Sequence, residues 1–394
     1  MRYDLVFEGG GAKGMVFVGA MRAFEREGHR PGRLLGTSAG AITATLLACG
    51  YSAEEMAHAL AEREGERSVF ASFMGTPEPA DDVEVRKSVV REMLHNIDIP
   101  FLPDSLEEKL DDKLAEWLAT YPGLRHLFSF VEHGGWYSAA AFERWMTRQL
   151  NSGTFRGARR AFGGLTLKHY YEATGAELSL IASDITGQAM LVLNHRTAPE
   201  VPVVSAVRMS MNIPLLWQEV VWQPSWGAYR GHDLSHHAVV DGGLLSNFPL
   251  ALFVTRAEAV LAVVGPSTAD GVLGMLIDET AAVPGIAAKP EETGLGLLRL
   301  RTGNRLRALA DTALGARDKV VIDAFERLVV RLPAQGFGTT EFDMEPARRD
   351  ALVKAGEEAL SLYLAQRDDD AVSFGTGPDP AERAADKLAV RILK

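Results

Sequence analysis

Cys49 is the only cysteine in 394 residues. That excludes an intrachain disulfide and any cysteine-rich zinc site, so the fold does not depend on an oxidising compartment. Surplus positive charge is also missing, with 41 Lys and Arg against 52 Asp and Glu, a net charge of −11. Neutralising phosphates takes excess cations, so the balance argues against a general nucleic-acid binder and against attachment to anionic membranes by charge alone. Long unbroken apolar runs are absent too. Asp4, Glu8 and Lys13 interrupt Met1 to Ala20, which spoils a signal-peptide core, and Arg256 and Glu258 interrupt the run from Ala251 to Gly265. No internal repeat stands out. The expectation is a protein made in the cytoplasm, with contact at a membrane surface left open and the oligomeric state unread.

What is present is an ordinary globular composition, 47% hydrophobic and 24% charged. Tyr3 to Phe7 reads as a short strand that runs into Glu8-Gly9-Gly10-Gly11-Ala12-Lys13-Gly14. Met15 to Arg26 carries Val16, Ala20, Ala23 and Phe24 at helical spacing, with Gly28 placed to stop it. Arg33 to Leu35 is a second strand, followed at once by Gly36-Thr37-Ser38-Ala39-Gly40 and a small-residue helix to Cys49. Ser52 with Glu55 forms a capping box. Strand and helix alternating in this way predict a mostly parallel sheet covered on both faces. Further strands are expected at Leu178 to Ser183, Ala189 to Asn194, His237 to Val240 and Val260 to Val264. A helical pattern follows from Leu297 to Leu332, a final helix from about Glu345 to Gln366, and a polar tail from Asp368 to Asp379.

Three blocks carry chemistry. Gly36-Thr37-Ser38-Ala39-Gly40 fits G-x-S-x-G between strand and helix, the setting in which a serine projects from a tight turn over a helix amino terminus. Gly9-Gly10-Gly11-Ala12-Lys13-Gly14 matches G-x-G-x-x-G, but the next strand ends in Leu35-Gly36-Thr37-Ser38 without the ribose-binding carboxylate, and no G-K-[ST] triplet makes a P-loop. A row of amides for an oxyanion is the reading that fits its neighbour, and a nucleotide-binding module is the alternative. Asp241-Gly242-Gly243 places a carboxylate at a strand end. All ten histidines precede Asp241, the last being His237. A serine triad in chain order would therefore need Ser38, Asp184 and His237; otherwise Asp241 itself takes the proton of Ser38. His232, Asp233, His236 and His237 could suggest a metal site, but adjacent histidines on a strand point to opposite faces.

These three blocks, in this order, resemble the signature of patatin-like phospholipases. Ala182 to Gly187 is similar to that family's strand-turn, and Ser205 to Pro214 to its Ser/Ala-rich helix ending in proline. The resemblance implies an α/β three-layer sandwich with a central, mostly parallel sheet. It also implies a serine lipid acyl hydrolase with a Ser38–Asp241 dyad, no cofactor and no metal, acting on a phospholipid or other lipid ester; a catalytically silent lipid-binding scaffold is a further alternative. The oxyanion hole is expected among Gly9, Gly10, Gly11, Lys13 and Ala39. Gly10 and Gly11 would be its main donors and Lys13 would steady the loop, while Gly14, Gly36, Gly40, Gly242 and Gly243 support the turns. The expected organisation is a catalytic domain over 1–265 with a helical, aromatic-rich insertion at about 65–164, then a mainly helical extension over 266–394 packed on the core.

Overall fold

A computed structural model describes residues 1–65, 67–95, 104–121, 124–287, 322–366, 386–387 and 389–390, with only the backbone for 104–111. In strand β1 (Arg2–Phe7), successive buried side chains go to opposite faces: Leu5 and Phe7 join one core cluster and Val6 the other. Strand β2 (Arg30–Thr37) divides in the same way, Leu34 to one side and Leu35 to the other. Burial on both faces is what a parallel sheet between two helical layers requires. Helices α1 (Val16–Arg26) and α2 (Ala39–Ala48) follow these strands, and the expected capping box at Ser52 and Glu55 is present.

Strands β3 (Leu178–Asp184), β4 (Ala189–Leu193), β5 (Val220–Val221) and β6 (Ala238–Asp241) extend one side of the eight-stranded sheet. β3 is parallel to β2, whereas β4 and β6 run antiparallel to β3. Helix α3 (Val203–Met211) packs on β3 and α2. Between these halves, the helices Asp82–Arg86, Val89–His95, Asp104–Thr120 and Arg125–Glu132 gather around a small core of their own that includes Val85, Val90, Ala115 and Phe128.

Beyond β6 the structure departs from expectation. Val260 to Val264, read as a strand, lies in helix α4 (Glu258–Val264), with Val260, Val263 and Val264 buried at helical spacing. A five-residue apolar run suits either structure, and here tertiary packing decides. The extension expected to be mainly helical supplies two strands, β7 (Gly271–Ala282), parallel to β1, and β8 (Val329–Gln335), parallel to β7. Val329 to Leu332 is therefore strand rather than helix. Residues 297–321 of that pattern, and the polar tail from Asp368 to Asp379, lie outside the described residues.

The final helix α5 (Pro346–Gln366) falls where it was expected and crosses α1 very closely. A Cβ on Gly19 of α1 would lie 1.7 Å from the carbonyl oxygen of Val353, and one on Gly356 of α5 would lie 2.1 Å from that of Val16. Only glycine at both positions permits the crossing.

Candidate active site

The turn between β2 and α2 is too tight for any side chain two residues either side of Ser38. A Cβ at Gly36 would lie 2.3 Å from the Gly40 oxygen, and one at Gly40 would lie 2.4 Å from the Phe7 oxygen. Ser38 itself has φ 53° and ψ −119°, a left-handed conformation that costs a serine energy and persists because its surroundings over-determine it. Its N–H donates to the Ser210 hydroxyl on α3 at 3.1 Å. Helix α2 starts at the next residue, so its positive end lies at the serine.

Register brings Asp241 to the same place. β2 and β4 both pair with Leu180 and Ile181 of β3, so they flank it on opposite edges. β4 continues along its edge to Asp184, which leaves the β2 edge of residues 182–184 to β6. Thr37 is opposite Ile181 and Asp241 is opposite Ala182, so β2 and β6 meet end to end. Gly242 makes the junction possible, because a Cβ there would lie 2.4 Å from the Ile181 oxygen.

The Asp241 carboxyl is buried, with no cation beside it among the described residues. Burial pushes its pKa up to about 7, against the opposing pull of hydrogen bonds from the Ser38 hydroxyl and the Gly243 N–H, the latter at 2.7 Å. A buried carboxyl bonded to a strained serine is a proton acceptor tuned to neutral pH.

The glycine loop lies over this pair. A Cβ on Gly9 would come within 3.1 Å of the Ser38 Cβ, and one on Gly14 within 2.6 Å of the Ala39 Cβ. Not every expected amide is available. The Gly9 N–H donates to the Asn247 oxygen at 3.1 Å and that of Lys13 to the Gly10 oxygen at 3.2 Å, so neither can serve an oxyanion. Gly10, Gly11 and Ala39 keep N–H groups without an intramolecular acceptor among the described residues. Lys13 is buried and its ammonium pairs with Glu279 on β7, a contact that fixes the loop to the sheet.

Sequence reasoning missed the residues that clamp this loop. Glu8 accepts from the Ile277 N–H at 2.6 Å and from the Asn247 amide at 3.2 Å, and the same Asn247 amide donates to the Gly9 oxygen at 2.9 Å. The Ala12 N–H donates to the Thr339 oxygen at 2.9 Å. Asn247, Glu279 and Thr339 come from distant segments with no local motif. Ser210, by contrast, sits in the helix already singled out. His237 and Asp184 are bonded to each other at 2.8 Å, while Asp184 also accepts from Thr186 and Gly187. No hydrogen bond joins either residue to Ser38 among the described residues.

Ser38 opens into a cleft of about 840 Å³, its open mouth included. Ile42, Phe70, Phe73, Met211 and Trp217 give it apolar walls suited to a hydrocarbon chain. Among the described residues, no group of three or more His, Cys, Asp or Glu could hold a metal ion, and no helix is long and apolar enough to cross a membrane.

Residues 5–254 match the Patatin family, described as patatin-like phospholipase. The chain is 28% identical over 374 residues to the uncharacterized protein YqhO of Bacillus subtilis, covering 93% of this chain and 99% of that one. It is 19% identical over 250 residues to the probable lipid hydrolase 463L of Invertebrate iridescent virus 6, covering 64% and 62%. Among solved structures, VipD from Legionella pneumophila aligns with a TM-score of 0.44 and 17% identity, over 92% of this chain and 66% of VipD.

Proposed function

The chain belongs to the patatin-like phospholipase family, and from that premise we propose a serine lipid acyl hydrolase of the phospholipase A or lysophospholipase type. Ser38 attacks the ester carbonyl of a lipid while Asp241 accepts its proton. The open N–H groups of Gly10, Gly11 and Ala39 receive the oxyanion of the tetrahedral intermediate. The proton held on Asp241 passes to the leaving alcohol, which departs and leaves the acyl group on Ser38. Water then gives a proton to the same carboxylate as it attacks the acyl-enzyme; collapse releases the fatty acid and restores the serine. The lipid enters from a membrane surface and its chain occupies the apolar cleft.

One observation carries this reading: a strained serine hydrogen-bonds a buried carboxyl poised near pH 7, with unoccupied amides alongside. Product profiling on a defined phospholipid panel tests it, with Ser38→Ala as control. A fluorophosphonate should label Ser38, and fatty acid release should disappear in the variant. Release that survives Ser38→Ala overturns the nucleophile. A wild-type protein that binds lipid without turning it over is the silent scaffold instead, and a melting temperature raised by nucleotide, with Ser38 unlabelled, returns the glycine loop to the nucleotide reading.

A further inference from the structure

The outer wall of the cleft comes from a part of the chain beyond the family-matched residues. Phe342, Met344 and Arg349 line it, opposite Arg63 and Ser68 from the short hairpin Arg63–Glu64 and Arg67–Ser68. The two sides are joined: the Ser68 N–H donates to the Asp343 carboxylate at 2.9 Å, and the Phe342 ring packs against Trp217 with centroids 5.6 Å apart. The same segment reaches the glycine loop through the bond from Ala12 to Thr339.

Charge at this mouth is uneven. Glu341, the one acidic residue lining the cleft among the described residues, is taken up by Arg348 at 2.7 Å. Arg63 is exposed and has no acidic partner among the described residues. The Arg349 guanidinium bonds its exposed neighbour Asp350 at 3.0 Å. Two guanidinium groups thus stand over apolar walls that end at Ser38, and guanidinium is the side-chain group best matched to a phosphate.

Resting on the hydrolase reading above, we propose that Arg63 and Arg349 form a head-group subsite for the phosphodiester of a phospholipid, so that the segment around 342–349 sets substrate preference. A neutral acylglycerol would fill the same apolar walls and offer neither arginine a phosphate.

The test needs no turnover at its first stage. Intrinsic tryptophan fluorescence of the wild-type protein follows titration with an ether-linked lysophospholipid and with the alkylglycerol of the same chain. The phosphate-bearing lipid should bind about tenfold tighter or more, and the advantage should shrink as salt rises. Arg63→Gln with Arg349→Gln should erase most of that ratio, and the Lys pair should recover part of it. Equal binding of the two lipids, or a ratio the Gln pair does not move, overturns the subsite. Inorganic phosphate should compete only weakly; competition as strong as the lipid's would make this a free-phosphate site and overturn the lipid assignment. At the second stage, hydrolysis of a lysophospholipid over a monoacylglycerol should show the same ratio and the same loss. Selective binding without any hydrolysis would sink the catalytic reading and leave the subsite standing.

Discussion

Asp4 and Asp241 are both buried in this sheet, and their surroundings differ. Asp4, on β1, accepts the Arg33 N–H at 2.7 Å and the Arg33 Nε at 2.8 Å; that guanidinium also reaches the oxygens of Gly265 and Phe253 and lies over the Phe253 ring. Asp241, at the opposite end of the strand direction, has a serine hydroxyl, one amide and, among the described residues, no cation. A paired buried carboxylate ties segments together, whereas an unpaired one retains a proton affinity that chemistry can use.

Breaking each site should therefore give opposite signatures. The largest effect is expected from Ser38→Ala, a fall in kcat/KM of about 10³ or more with the fold retained, measured on a lysophospholipid. In the wild type the same parameter should rise with pH through about 7 and then level, since only the ionised Asp241 accepts a proton; a profile flat across that range would argue against the dyad. Next, Arg33→Met strands a buried carboxylate and should cost about 3–5 kcal/mol in urea unfolding, while Asp4→Leu with Arg33→Met recovers most of it. A small cost for Arg33→Met alone would mean that Asp4 is less isolated than its contacts indicate.

Asp241→Asn sharpens the contrast, because it should abolish hydrolysis yet stabilise the protein. The folded carboxyl titrates near 7 and the unfolded one near 3.8, so the native state binds more protons between these values and stability falls as pH rises through them. Removing the charge should raise stability by roughly 1–3 kcal/mol at pH 8, the gain fading toward pH 4. No gain at pH 8 would contradict the raised pKa. The smallest effect is expected from His237→Ala, with activity kept within about tenfold; a loss as complete as for Ser38→Ala would promote the Ser38–Asp184–His237 arrangement.

How much of this was legible depended on where each constraint lay along the chain. The elbow, the glycine loop and Asp-Gly-Gly are local patterns whose spacing follows from tight turns, and they marked Ser38, the loop and Asp241 as candidates; the family resemblance named Gly10, Gly11 and the Ser38–Asp241 pair over the Ser38–Asp184–His237 arrangement. The strand order near β1 was less accessible. Gly271 to Ala282 pairs with a strand that begins at Arg2, and nothing within its own window reveals that partner. Val260 to Val264 failed because five apolar residues fit both periodicities. Which loop amides stay open depends on Asn247, whose main-chain oxygen takes the Gly9 N–H and which no motif marks, so the candidate oxyanion donors could be bounded from sequence but not narrowed.

The close crossing of α1 and α5, with Gly19 against Val353 and Gly356 against Val16, also has a consequence for the order of events at the ribosome. The serine, its turn and its amides emerge with the first forty residues; the far wall of the cleft emerges some three hundred residues later, and it is seated only once α5 has lain down across α1. A half-made chain therefore carries the serine's turn and the glycine loop while Phe342, Met344 and Arg349, which line the finished cleft, have yet to be made.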